Sequence, residues 1–236
     1  QVGLPGGYGF YGVADILSGD VNPSGHLTDT YAVKNANSPA AQNFGDLQWT
    51  NANPDIKMND AIVEAENIYI GYKYYETRYF DTVMNQGNAS STVGSSTGSA
   101  WNYDDEVTYP FGYGLSYTTF TQTLDDLHVD LENETVTAKV TVTNTGSCAG
   151  AEVVQVYLGV PVEGQPPKRL VGFQKVFVEP GESAPVEIAI DPAATNHPFG
   201  VWDYGTGAFS VEPGDYTVYV GTSADDTPHT ATLTVS

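Results

Sequence analysis

Tyr109-Pro110-Phe111-Gly112-Tyr113-Gly114-Leu115-Ser116-Tyr117-Thr118-Thr119-Phe120 is where this chain changes character. Beyond it the apolar residues alternate. Val136, Ala138, Val140 and Val142 fall on one side, and Thr135, Thr137, Lys139, Thr141 and Thr143 on the other. That period of two belongs to a strand whose faces meet different surroundings. Further sets follow at Val154, Val156 and Leu158, at Val176 and Val178, and at Val186, Ile188 and Ile190. The last are Tyr216, Val218 and Val220, then Leu233 and Val235. Turn residues separate them at Asn144-Thr145-Gly146, Glu179-Pro180-Gly181 and Glu212-Pro213-Gly214. About seven short strands so punctuated predict two antiparallel sheets packed face to face.

Upstream of the join the pattern is different. Gly7, Gly9 and Gly12 formally match a dinucleotide-binding fingerprint, but that motif needs a preceding strand inside a βαβ unit. Only six residues stand before Gly7, Pro5 among them. The glycines are read instead as a turn into a helix that carries Phe10, Val13, Ala14 and Leu17 at helical spacing and stops at Gly19 and Pro23. Residues 22–60 have no sustained period and read as loop-rich. Ile62, Val63 and Ala65 are expected on a short helix. Ile68 to Tyr75 is expected as a strand, with Ile68, Ile70, Tyr72 and Tyr74 on one face. Residues 84–100 form a polar, low-complexity loop, and loops of that length in a compact unit are usually functional or mobile. The second half, with Tyr216 placed where a tyrosine corner belongs, is an immunoglobulin-like or fibronectin type III-like sandwich.

Composition removes several function classes. The chain has 236 residues, 40% of them hydrophobic, and sets 8 basic against 29 acidic residues for a net charge of -21. A field of that sign repels nucleic acid and anionic membrane, and is indifferent to a neutral sugar. Nothing approaches the roughly 18 apolar residues of a membrane span. The chain contains no signal peptide, and its opening Gln1-Val2-Gly3-Leu4-Pro5-Gly6 reads as the middle of a longer sequence. The single Cys148 permits no internal disulfide. It lies in a turn of small residues with no nearby histidine, so it is not read as a nucleophile.

Several separated motifs, in order, resemble glycoside hydrolase family 3, the β-glucosidase-like enzymes. Ala14-Asp15-Ile16-Leu17-Ser18-Gly19-Asp20-Val21-Asn22-Pro23-Ser24-Gly25 is similar to a segment late in that family's α/β sandwich domain. Glu66 to Tyr75 resembles the stretch leading out of that domain, and Tyr109 to Phe120 resembles the join to the last one. Pro167 to Val176 and Trp202-Asp203 are similar to the family's fibronectin-like domain. The resemblance implies that residues 1–114 are the C-terminal portion of an α/β domain and residues 115–236 a fibronectin type III-like sandwich. It also implies an extracellular or cell-surface setting, and as partner the remaining N-terminal part of the parent enzyme with a neutral glycoside substrate. His26-Leu27-Thr28 and Gly7-Tyr8-Gly9 depart from the family's pattern, as does the length of the loop at 84–100, which marks a divergent branch.

Retaining glycoside hydrolysis needs two carboxylates about 5–5.5 Å apart. The resemblance implies a nucleophilic aspartate on a separate barrel and an acid/base carboxylate before Gln1, so no residue here is assigned a catalytic role. Glu64, Glu66 and the run Asp104-Asp105-Glu106 read as solvated surface. The histidines, His26, His128, His197 and His229, are too scattered for a metal site, and the acidic run lacks the spacing of a calcium loop. Neither a cofactor nor a metal is expected. Trp101 and Tyr103, after the polar loop, are the candidate substrate-binding residues, because flat rings stack on sugar faces; the competing role is to anchor that loop. Trp202 is read as packing, and Trp49 is left open. Asn88-Ala89-Ser90 and Asn133-Glu134-Thr135 are formal glycosylation sequons. The alternative to a hydrolase fragment is a non-catalytic carbohydrate-binding or adhesion module, since such sandwiches host many functions.

Overall fold

The computed structural model describes residues 4–45, 47–48, 55, 60–130 and 135–235. Its first part is assembled from short pieces. Helix α1, Gly9–Ser18, ends as expected at Gly19, which closes it in the left-handed conformation. No residue of α1 is buried, and Phe10, Tyr11 and Leu17 stand in solvent. Next come β1 (Tyr31–Ala32), α2 (Pro39–Asn43), β2 (Leu47–Gln48) and β3 (Asp60–Ala61). Ser38 caps α2, its hydroxyl accepting from the Ala41 amide. Helices α3 (Tyr72–Val83) and α4 (Tyr103–Glu106) follow, then β4 (Val107–Tyr109), which pairs with β1.

Two expectations fail here. Ile62 and Val63 lie in irregular chain and Ala65 in a turn, not on a helix. The strand expected over Ile68–Tyr75 is absent, because Tyr72 begins α3 after Gly71 turns the backbone to positive φ. The alternation of apolar residues across Gly71 was coincidental. The real signal was the spacing of Tyr72, Tyr75 and Tyr79, three and four residues apart, the repeat of one helix face. Trp49 and the sequon at Asn133 lie outside the described residues.

The second part is the sandwich. Its strands are β5 (Phe120–Asp130), β6 (Thr135–Asn144), β7 (Gly150–Gly159), β8 (Arg169–Val178), β9 (Ser183–Ile190), β10 (Val201–Asp203), β11 (Ala208–Ser210), β12 (Gly214–Gly221) and β13 (His229–Val235). One sheet runs β13-β12-β7-β8 and the other β5-β6-β9, with β10 and β11 forming a separate ribbon. The alternating residues meet in register, Val140 opposite Val186 and Val156 opposite Val220. Both inner faces close over a core of Val136, Ala138, Val140, Val142, Val154, Val156, Leu158, Val186, Ile188, Tyr216, Val218 and Val220. Each fully buried aliphatic side chain of this size contributes about 1.5–3 kcal/mol. The Tyr216 hydroxyl donates to the Glu212 carbonyl at 2.7 Å, so the expected tyrosine corner is present.

The join explains its own residues. Phe111 stacks on Tyr72 of α3 with ring centroids 4.2 Å apart, and both rings meet Tyr157 of β7 edge-on. Gly112 has φ 82, and a Cβ there would lie 2.1 Å from the Gln155 side chain, whose amide donates to the Gly112 carbonyl at 3.0 Å. A Cβ on Gly114 would come within 2.7 Å of the Gly25 carbonyl oxygen. Asn22 ties the same region together: its amide donates to the Ala149 carbonyl, and its oxygen accepts from the Ser116 hydroxyl and the Tyr117 amide. The two family-like motifs, around Asn22 and around Gly112, are thus the two sides of one contact with the sandwich.

Candidate functional site

Helix α3 organises the most built-up region outside the sandwich core. Its Arg78 reaches the polar loop, donating from Nε to the Ala89 carbonyl at 2.8 Å and from Nη2 to the Ser91 carbonyl at 3.2 Å. Nη1 donates to the Tyr74 hydroxyl at 2.7 Å, and the guanidinium lies 4.7 Å from the centre of the Trp101 ring. Glu106 holds the other end of the loop, accepting from the Ser96 amide and hydroxyl, both at 2.6 Å. The loop over residues 84–100 is therefore fastened by one cation and one anion, each matched to its backbone. Charge-assisted bonds of this kind are about twice as strong as neutral ones.

Trp101 and Tyr103 sit beneath that loop. They are 2% and 8% exposed and form a small cluster with Tyr75. The Tyr103 hydroxyl donates to Glu76 at 2.6 Å. Burial and the adjoining Glu76 carboxylate push the Tyr103 phenol far above its ordinary range. Burial likewise raises the Tyr75 phenol to about 12. Glu76 is 3% exposed, and burial lifts its carboxyl above the ordinary value against the pull of the Tyr103 hydrogen bond and of Lys168. Neither Trp101 nor Tyr103 offers an open face in this arrangement, and their burial favours the anchoring role over direct stacking on sugar.

Two cavities flank α3, and Glu66, Tyr69 and Tyr74 line both. One, of about 500 Å³, also takes in Arg78 and Asp81; the other, of about 440 Å³, takes in Asp29 and Tyr75. One Glu66 carboxylate oxygen is buried without a hydrogen-bond partner among the described residues. Burial raises the Asp81 carboxyl. Acceptors and tyrosine rings at this scale suit a polyhydroxylated ligand of one or two rings. Sequence reasoning treated Glu66 as plain surface and overlooked Asp81. Asp81 follows Arg78 and Thr77 on α3, a signal lost once part of α3 was read as a strand.

The remaining sequence candidates are dispersed. Glu64, Asp104 and Asp105 are exposed, whereas Glu106 is buried in its loop contact. No group of three metal-binding side chains occurs among the described residues. Cys148 is exposed. Trp202 does pack, edge-on to Phe209 at 5.2 Å, yet 44% of it remains in solvent. No helix among the described residues is long and apolar enough to cross a membrane.

Fold and join together define a fibronectin type III-like sandwich carrying a helical and looped platform on one side. The model of the fibronectin type III-like domain matches residues 152–224. Probable β-glucosidase H of Aspergillus flavus is 35% identical over 221 residues, covering 92% of this chain and 22% of its own length. β-Glucosidase B of Emericella nidulans is 34% identical over 229 residues, covering 96% of this chain and 24% of its own length. The structure of the Kluyveromyces marxianus β-glucosidase with glucose superposes with a TM-score of 0.71 at 32% identity, over 95% of this chain and 22% of that one. The family 3 β-glucosidase of Bifidobacterium adolescentis gives 0.71 at 31% identity, over 96% and 28%. The chain is thus related along nearly its whole length to the glycoside hydrolase family 3 β-glucosidases, and matches a portion of them that contains the fibronectin type III-like domain. It spans 22% of the length of the first curated relatives that it matches.

Proposed function

We propose that this chain is the C-terminal portion of a β-glucosidase-type hydrolase of O-glycosyl bonds, in which it supports the catalytic part and supplies a rim to the substrate site. Residues 1–114 would complete an α/β domain, and residues 115–236 would be the sandwich that buttresses it. The observation that carries this reading is the 35% identity over 92% of the chain to relatives of which the match is only 22%. The exposed apolar residues of α1 support it, because Phe10, Tyr11 and Leu17 need a covering surface that the described residues do not provide. The hydrolytic carboxylates belong to the remaining N-terminal part of the enzyme. No cofactor enters this reading. An extracellular or cell-surface setting suits an enzyme acting on a neutral glycoside.

In this reading Trp101 and Tyr103 act on substrate indirectly, by holding the loop over residues 84–100 at the rim. Glu66 and Asp81 would accept hydrogen bonds from sugar hydroxyls there. Native mass spectrometry of the protein from its source, with a denaturing mass on the same sample, tests the proposal. The expected result is this chain joined to, or associated with, a larger polypeptide that hydrolyses an aryl β-glucoside. A lone, inactive species of this chain's own mass would overturn it in favour of a non-catalytic binding or adhesion module.

A further inference from the structure

A third cavity, of about 510 Å³, opens where the start of α3 meets the sandwich. Its lining contains Lys73, Arg169, His197, Trp202, Tyr204 and Phe209, and no aspartate or glutamate among the described residues. That is unexpected in a chain with 29 acidic and only 8 basic residues, two of which line this one cavity. Arg169 is braced, donating from Nη1 to the Gly200 carbonyl at 2.7 Å and from Nη2 to Gln165. The Lys73 ammonium is half-buried with neither a hydrogen bond nor an ion pair among the described residues. Burial and the nearby Arg169 both hold its pKa down. An anion in the cavity would relieve both effects.

The aromatic wall is rigidly presented. Trp202, Tyr204 and Phe209 remain 44%, 85% and 47% exposed. They belong to the β10–β11 ribbon and its turn, which Asp203 fixes by accepting from the Gly205 amide and the Thr206 hydroxyl, both at 2.8 Å. His197 stacks on Phe209 at 4.1 Å and closes one side. Exposed flat rings bind the apolar faces of sugars, and a paired lysine and arginine bind carboxylate. A cavity of this size accommodates one or two sugar rings.

We propose that this cavity is a binding site for carboxylated carbohydrate, a uronic acid residue within an oligosaccharide, its ring against Trp202 and Tyr204 and its carboxylate between Lys73 and Arg169. The site shares no lining residue with the two cavities beside the polar loop and does not depend on the hydrolase reading. Its role is recognition of a single acidic sugar residue at contact range, where Lys73 and Arg169 act directly and the chain's overall negative field, screened beyond about 10 Å, does not decide.

Calorimetric titration of the full chain with tri-galacturonate, with its neutral methyl ester and with an acidic peptide of four glutamates tests this. The uronate should bind at least tenfold more tightly than either of the others. Lys73→Met should weaken the uronate about tenfold and leave the ester unchanged, while Tyr204→Ala should weaken both saccharides. Tyr204 is almost fully exposed, so its variant keeps the fold, and unchanged melting by circular dichroism confirms that. Equal affinity for acid and ester, or no binding of either, overturns the proposal. Binding of the acidic peptide as tight as that of the uronate, and unaffected by Tyr204→Ala, overturns it also and assigns the cavity to a protein carboxylate.

Discussion

The two parts of this chain stabilise themselves by different means. The sandwich hides mostly aliphatic side chains from both sheets in one continuous core, sixteen buried residues in a single cluster, of which only Phe199 and Tyr216 are aromatic. The part before Leu115 has a cluster of three, Tyr75, Trp101 and Tyr103, all aromatic and all at the foot of one loop. Its other fastenings are single directed contacts: Arg78 and Glu106 to the loop, Asn22 to the join, and the Phe111–Tyr72 ring pair against Tyr157. A core of the first kind is indifferent to what surrounds it. A framework of the second kind keeps its shape only while its supports remain. The lesson is that the sandwich carries the platform, and not the reverse.

The sharpest way to break this comparison is to separate the parts. Residues 115–236 alone should melt cooperatively with the near-ultraviolet circular dichroism of packed tyrosine. Residues 1–114 alone should show no such signal and no cooperative transition. A folded, monomeric 1–114 would end the argument. The next largest effect should come from Trp101→Ala, which empties the centre of the aromatic cluster and costs about 3–5 kcal/mol. The loss should be local. Hydrogen exchange over residues 84–100 and in α3 should accelerate by orders of magnitude, while amides of β6 and β7 keep their protection. On the sandwich side, Tyr216→Phe deletes one hydrogen bond of the tyrosine corner and should cost about 1 kcal/mol, read as a lower midpoint of the whole sandwich transition.

The same contrast decides what was legible beforehand. Val140, Val156 and Val218 announce their faces by alternation, because a strand buried on one side must repeat every two residues. Six of the seven strands of the two sheets and the tyrosine corner were therefore readable, whereas β5 was not, since among its described side chains Phe120, Leu124 and Leu127 alone pack against the core and a bulge between Leu124 and Asp126 breaks its register. In the platform, local pattern misled. Ile68, Ile70, Tyr72 and Tyr74 mimic a strand, and only the turn at Gly71 and the tertiary contacts of Tyr72 with Phe111 and Tyr157 reveal a helix. The family motifs located the join but did not show why its glycines are needed. That follows from two close approaches, one to Gln155 and one to Gly25, from residues distant in sequence. Trp101 and Tyr103 were read as candidate substrate-binding rings after the loop, and the structure places both beneath it, 2% and 8% exposed. Their burial under Arg78 and beside Glu76 depends on side chains more than twenty residues earlier.

The smallest effect tests whether the platform's polar supports are strained by their burial. Glu76 accepts from Tyr103 in a nearly closed environment, and burial raises its carboxyl above the ordinary value. A folded-state value above the unfolded one means the folded chain holds that proton more tightly. The stability this contributes is complete below the ordinary carboxyl value and is lost as pH rises through the raised one. Glu76→Gln keeps the shape and still offers an oxygen to the Tyr103 hydroxyl, but cannot ionise. Its stability relative to wild type should therefore climb with pH across that window and level off above it, as measured by chemical denaturation at successive pH values. The opposite slope would mean that Glu76 is stabilised as a carboxylate by Lys168, whose own ammonium is held down by burial. In that case the platform would be tied to the β8 side of the sandwich by charge as well as by ring contacts, and the line between the two parts would be less sharp than their cores imply.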